Sequence, residues 1–323
     1  ISQNHELIKY VVNMISKQYS GIPFLYVLGN NEFVPNYGDN HFVGDTDTYE
    51  SIAEILKPFM NDEQQATFKK GGYYYHDFSK GKLRLLIINS VIYNPDRDIK
   101  DDPYDQFQWM KDVSTDGNNN GYKIAVALHI PPGVSYNSGS PFDHGWHEVY
   151  MQKFDQIVKD CNIQFILAAH SHYDMFMPIY KNKGVSNAYS LSAPAISTQH
   201  SNNPSFRVMT YSDGKLVDYK QFYADIMMNP QNELNWEVEY SFNDAYDQKD
   251  LSISSIGKVV DWIKTTGKGR WSYIEKITSL ATENGKFYYC ILTCTTSEEI
   301  AKCIEPLNGD NSISKFFPYN GER

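Results

Sequence analysis

A chain of 323 residues, 41% hydrophobic and 15% aromatic, can bury a sizeable core, which excludes a disordered protein and leaves room for one large domain or a large and a small one. A net charge of -10 argues against a nucleic-acid polymer as partner, because phosphate backbones select basic faces. It leaves open a small phosphate-bearing substrate held through metal ions, and no run approaches the ~18–20 consecutive apolar residues of a membrane span.

At the start, Leu7, Val11, Val12, Met14 and Ile15 recur at helical spacing and predict the apolar face of a helix. It leads into the apolar run 24–28, read as a buried parallel strand. A helix that precedes a strand in this way is the second half of a β-α-β unit, so an upstream segment is expected and the lack of a targeting signal carries little meaning. Residues 36–47 read as an exposed loop, 49–59 as a helix with Pro58 near its end, and Gly71-Gly72 as a turn. The aromatic run 73–75 and the apolar run 83–88 predict a hairpin, 101–111 a helix, and 117–121 an Asn-rich turn. A helix over 150–158 precedes a strand near 165, and short alternating runs over 189–222 predict further strands. Composition shifts near Ala224, after which Trp236, Trp262 and Trp271 accompany helical spacing at 256–263 and 298–303. The expected division is a larger catalytic domain over 1–224 and a small, mainly helical subdomain over 225–323.

Four apolar runs end abruptly in polar residues. Run 24–28 meets Gly29-Asn30-Asn31-Glu32, run 83–88 meets Asn89-Ser90, run 124–128 meets His129-Ile130-Pro131-Pro132-Gly133, and run 165–169 meets His170-Ser171-His172. Open α/β sheets collect ligands outside the carboxyl ends of their strands, so separate strands can deliver Asn30, His129, His170 and His172 to one place. An amide oxygen with several imidazoles is a metal-ligand set.

These motifs, in this order, resemble the third to fifth motifs of the calcineurin-like metallophosphoesterases. The two prolines after His129, Asp174 and Phe176, Asp102-Pro103 with Gln106-Phe107 and Trp109, Asn203-Pro204-Ser205-Phe206-Arg207, Trp236-Glu237-Val238-Glu239-Tyr240 and Ala245-Tyr246 are similar to its acid sphingomyelinase-like branch. The resemblance implies an α/β (α+β) fold, a four-layer sandwich of two mixed sheets flanked by helices. It also implies two divalent metal ions, commonly zinc, with Asn30, His129 and His170 on one and His172 on the other. Asn31 stands where the family has a proton-donating His, and an amide cannot act as a general acid. The family's Asp-x-His and Gly-Asp motifs, with a further His, have no counterpart here, which leaves the second metal incomplete.

The expected function is a metal-dependent phosphodiesterase that hydrolyses a phosphodiester or pyrophosphate bond in a nucleotide or phosphocholine-type substrate. The alternative is a catalytically degenerate protein that binds a phosphate ligand or a partner on the same scaffold. A membrane lipid as substrate is open but not indicated, and the oligomeric state is open. His144 and His147 follow the His129 motif and are candidates to line a substrate cleft. Tyr73 is a candidate to stack on a base or choline, against the plainer reading that the tyrosine run packs a sheet. Cys161 reads as a buried thiol, and one disulfide is open among Cys290, Cys294 and Cys303. The resemblance favours a secreted or lysosomal location.

Overall fold

The computed structural model describes residues 3–33, 37, 46–95, 101–133, 145–178, 181–182, 185–186, 188–199, 202–226, 234–277, 289–292 and 297–304. The chain divides into two compact units, one of residues 1–132 with 145–166 and the other of 133–144 with 167–323.

In the first unit, α1 (Gln3–Gln18) forms where the sequence predicts it, but its packed face is rotated. Leu7, Val11 and Met14 are exposed, while His5 and Val12 are buried. The reason is polar: His5 Nδ1 lies 3.0 Å from Ser51 Oγ and Nε2 lies 3.3 Å from the Glu32 carbonyl, so the helix docks through its histidine. Run 24–28 is extended but is not a strand. Its backbone is occupied by a side chain, since Tyr26 N donates to Tyr74 Oη at 2.7 Å and the same hydroxyl donates to Tyr26 O at 3.0 Å.

Helix α2 (Thr46–Leu56) buries Tyr49, Ile52, Ala53 and Leu56, one apolar stripe at helical spacing. Helix α3 (Asp62–Gly71), which the apolar pattern did not announce, starts at a reciprocal cap: Gln64 N donates to Asn61 Oδ1 at 2.9 Å and Asn61 N to Gln64 Oε1 at 3.0 Å. It stops at Gly72, whose φ of 77° suits a residue without a Cβ. Strands β1 (Tyr74–Phe78) and β2 (Leu83–Ile87) form the expected antiparallel hairpin. Helix α4 (Gln106–Asn119) then crosses to β3 (Lys123–Ala127), parallel to β2. The predicted turn at 117–121 is largely helix, because Gly117 lets α4 approach closely: a Cβ there would stand 2.8 Å from Ile124 Cδ1. Helix α5 (Glu148–Asp160) precedes β4 (Ile163–Ala168), which neighbours β3. The buried β2 and β3 form the floor from which the His129 loop leaves.

The second unit takes up the end of β4, whose Ala168 carbonyl accepts from Ala193 N. Strand β5 (Met175–Pro178), the short ribbon β6 (Lys181–Asn182) with β7 (Val185–Ser186), and β8 (Tyr189–Ser192) follow, with β5 antiparallel to β8. Strands β9 (Ser205–Ser212), β10 (Lys215–Ala224) and β11 (Trp236–Ser241) make an antiparallel sheet in the order β11-β10-β9, with Asp213-Gly214 turning the first hairpin at positive φ. Helices α6 (Phe242–Tyr246), α7 (Ile253–Thr265), α8 (Gly267–Ile277) and α9 (Ser297–Ile304) complete its described elements. Phe176 meets Phe242, Tyr246 and Tyr273 edge-on in its core. Cys290 and Cys303 form a disulfide and Cys161 is a buried free thiol, while Cys294 lies outside the described residues. The mixed α/β class expected from the sequence holds. Among the described residues no helix is long and apolar enough to cross a membrane.

Candidate functional site

The first of the polar interruptions is a single 3-10 turn, Asn30–Glu32. Glu32 locks it from below: Gly29 N donates to Glu32 Oε2 and Tyr26 Oη to Glu32 Oε1, both at 2.7 Å. Burial and then the Glu32 carboxylate push the Tyr26 hydroxyl far above its ordinary range, so it remains a donor. With the turn fixed, Asn30 is buried and its Oδ1 lies 2.8 Å from His129 Nε2. Gly29 gives the imidazole its place, because a Cβ there would stand 3.0 Å from His129 Cε1 and 3.1 Å from Nδ1. Asn31 is exposed, and its carbonyl accepts from Asn4 Nδ2 at 2.7 Å.

The His129 loop is clamped on both sides of the next peptide. Ile130 N donates to Ser90 Oγ and Trp146 Nε1 donates to Ile130 O, each at 2.8 Å. Gln106 adds a second tier, exchanging hydrogen bonds with the Asn89 backbone at 2.8 and 3.1 Å. The Asp102 to Trp109 stretch therefore supports the loop from behind: Asp102 accepts from Phe107 N and Gln108 N. Sequence reasoning singled out neither Ser90 nor Trp146 for this work, although Ser90 closes one of the four interrupted runs.

His170 and His172 belong to the second unit, on the loop that leaves β4. Both have left-handed backbone, with φ of 68° and 64°. That conformation costs a non-glycine residue about 1–2 kcal/mol and persists only where surrounding contacts enforce it. Those contacts are Ser171 N to Ala169 O at 2.7 Å, Asn202 Nδ2 to His172 O at 2.9 Å, and Asp174 N to Ile277 O at 2.9 Å.

The structure thus brings Asn30 and His129 together in one unit and sets His170 and His172 two residues apart in the other. His147 caps the start of α5 through its backbone, its ring against Tyr150 at 6.2 Å; its Nδ1 is buried without a hydrogen-bond partner among the described residues. His144 lies outside the described residues. Tyr73 is 1% exposed, its hydroxyl donates to Tyr104 O at 2.8 Å, and its ring packs 4.6 Å from Trp109, which leaves no face for a substrate.

Two ligands at about 2.1 Å on one tetrahedral cation stand roughly 3.4 Å apart, so the Asn30–His129 pair, hydrogen-bonded at 2.8 Å, has the chemistry of a ligand pair and needs its two atoms to part by a fraction of an ångström to share a metal ion. Among the described residues no three His, Cys, Asp or Glu side chains gather as a metal site. The unit supplies an imidazole and an amide oxygen, donors that suit zinc and also manganese.

Comparison with known families matches residues 2–174 to "Calcineurin-like phosphoesterase" and residues 182–270 to "Acid sphingomyelin phosphodiesterase C-terminal region". Human "Acid sphingomyelinase-like phosphodiesterase 3b" is 28% identical over 278 residues, 80% of this chain and 60% of that protein. Human "Cyclic GMP-AMP phosphodiesterase SMPDL3A" is 28% identical over 268 residues, 77% of this chain and 58% of that protein. "Sphingomyelin phosphodiesterase A" of Dictyostelium discoideum is 26% identical over 311 residues, 91% of this chain and 52% of that protein. The chain spans between half and three fifths of the length of these relatives. The first match covers more than half of the chain, on the motifs that carry Asn30, His129, His170 and His172, in a family that employs divalent metals. This chain belongs to the calcineurin-like phosphoesterase family, with its likeness on the acid sphingomyelinase-like side of it.

Proposed function

We propose that this chain forms part of a metal-dependent phosphoric diester hydrolase acting on a phosphodiester or pyrophosphate bond of a small substrate. The observation that carries this reading is the 2.8 Å pairing of Asn30 Oδ1 with His129 Nε2 over Gly29, at the family's ligand positions. Asn30 and His129 would hold one ion, and His170 and His172 stand at the family's further ligand positions, with zinc as the metal. Two such ions supply Lewis acidity for the phosphoryl oxygens and for water in an in-line displacement. The chain's own residues fix the donors. His129 must turn its Nε2 proton away from Asn30, by tautomer shift or release, before both atoms face a cation. Asn31 offers an N–H to a phosphoryl or leaving oxygen but no proton, so leaving groups that depart as stable anions suit this chain.

A soluble nucleotide is the favoured substrate and a phosphocholine headgroup the second. The relative named for cyclic GMP-AMP supports that order. His144 and His147, which follow the His129 motif, are the substrate-contacting candidates. The Cys290–Cys303 disulfide supports an oxidising, secreted or lysosomal setting.

Turnover of bis-p-nitrophenyl phosphate with added zinc, against the same protein in chelator, tests the reading: clear zinc-dependent release of p-nitrophenolate is expected. The exposed Asn31 favours a second reading, a non-catalytic phosphate binder. Zinc-dependent binding of a nucleotide with no turnover of it or of bis-p-nitrophenyl phosphate would establish that one in its place.

A further inference from the structure

Three stretches far apart in sequence meet behind the His170–His172 loop. Asp174, Arg207 and Tyr240 come from the loop's end, from β9 and from β11. The Asp174 and Arg207 side chains are 4% and 2% exposed, and Arg207 Nη2 stands 2.5 Å from Asp174 Oδ1 as an ion contact, out of line for a hydrogen bond. Tyr240 Oη donates to Asp174 Oδ2 at 2.5 Å and lies 3.0 Å from Tyr219 Oη, so the hydroxyls form a relay ending on the carboxylate. The guanidinium lies 3.9 Å from the Tyr219 ring centroid and donates through Nε to Gln221 Oε1 at 3.0 Å. Burying such a pair is expensive, and an apolar pair of similar volume is often as stable, so its presence points to a role beyond stability. The role is legible from Asp174's place: it is two residues past His172, and its backbone N–H is tied to Ile277 O.

We propose that Arg207, Asp174 and Tyr240 are positioning residues that hold His170 and His172 in their left-handed backbone, ready to ligate metal. This rests on the reading of His172 as a metal ligand. The network acts on the loop as outer-shell partners act on a metal ligand, by fixing its orientation before the ion arrives.

The test measures zinc affinity of the full chain by competition with a chromophoric chelator at 25 °C, beside melting of the metal-free protein. The variants are Tyr240→Phe, Arg207→Lys and, for the ligand itself, His172→Ala. Tyr240→Phe removes one hydroxyl and is expected to weaken zinc binding ~10–100-fold, the range for lost outer-shell partners. Arg207→Lys keeps the charge, loses the planar fork, and is expected to fall between wild type and Tyr240→Phe. If it fails to fold, Tyr240→Phe still decides. A network that only stabilises the fold would lower the melting temperature and leave zinc affinity unchanged; that result overturns the proposal while His172→Ala still weakens binding. A wild type that binds no zinc, or a His172→Ala chain that binds it as tightly, overturns the ligand reading and the proposal with it.

Discussion

His129 and His172 both follow the end of a strand, yet the surroundings that hold them are built on different physics. In the first unit His129 rests on Gly29 and is braced by neutral donors and acceptors: the Asn30 amide, the Ser90 hydroxyl and the Trp146 indole. In the second unit the His170–His172 backbone is strained, and behind it sits a buried ion pair with a tyrosine relay. Loss of a neutral member costs less, about 1–3 kcal/mol for the buried partner left unsatisfied. Charged bracing is brittle, because removing one partner strands the other's charge away from water. The first loop is therefore fixed by shape and the second by electrostatics.

The largest expected effect lies on the first loop. Replacing Asn31→His restores a proton donor beside the Asn30–His129 pair and should raise turnover of a dinucleotide phosphodiester ~10²–10⁴-fold. That gain should fade above about pH 6.5, as the imidazole loses its proton. Bis-p-nitrophenyl phosphate should gain little, because p-nitrophenolate departs without help. Equal gains on both substrates would show that the new histidine acts by something other than proton donation.

The brittleness of the second loop is tested by Arg207→Met, set against Arg84→Met in the first unit. Arg84 is also buried, paired with Asp77 at 2.7 Å and Asp116 at 2.7 Å, but those carboxylates are 26% and 60% exposed and can rehydrate. Arg207→Met should cost about 3–5 kcal/mol, because Asp174 stays buried. Arg84→Met should cost about 1–3 kcal/mol, the worth of its lost charge-assisted bonds. Urea midpoints at fixed pH measure both. A double change, Arg207→Met with Asp174→Leu, should recover most of the first loss, and if it does not, the stranded charge is not the cause.

Much of this contrast was legible in the sequence on one side only. Three of the four interrupted runs point to Asn30, His129, His170 and His172, because the end of an apolar run is a local event, and two of those three runs are strands. The Asn61 and Gln64 cap went unread, although an Asn three residues ahead of a Gln is a local signal. The partners were not legible. Tyr74 captures the Tyr26 backbone from 48 residues away, and that capture turns an expected strand into extended chain. His5 docks α1 through a carbonyl 27 residues on and rotates its face away from Leu7, Val11 and Met14. Asp174 and Tyr240 stood in the sequence as separate features 66 residues apart, and only the fold joins them. An apolar pattern records which side of an element is buried, and it carries no record of a polar group that overrides it.

A smaller effect tests whether the first loop is fixed by shape. Gly29→Ala would place a Cβ 3.0 Å from His129 Cε1 and from Glu32 Oε2, so the ring must shift by a few tenths of an ångström. With His129 as the proposed ligand, displacing its ring should weaken zinc binding by roughly 10-fold, in the range of outer-shell changes, with the fold otherwise retained. Chelator competition reads it directly. Unchanged affinity would mean that the ring has room the neutral bracing does not use.

The last effect is a slope with pH. In the second unit burial, and then the charge of Asp174, push the Glu239 carboxyl from 4.5 up to about 8, with Lys276 and Arg207 pulling the other way. Below pH 4.5 the group is protonated whether the chain is folded or not, and it adds no pH dependence. As pH rises from 4.5 to about 8 the unfolded chain has released a proton that the folded chain keeps, so ionising Glu239 favours unfolding and stability falls through that window. Above about 8 both states are ionised, the loss is complete, and the folded protein carries a second carboxylate in the field of Arg207 beside Asp174. Glu239→Gln keeps the shape and removes the titration. Urea midpoints of the two chains, taken at intervals between pH 4.5 and 8, should diverge steadily, with the variant flatter and the m-value unchanged. Parallel curves would place Glu239 in contact with water as an ordinary carboxylate, and would confine the charged character of the second loop to the Asp174–Arg207 pair itself.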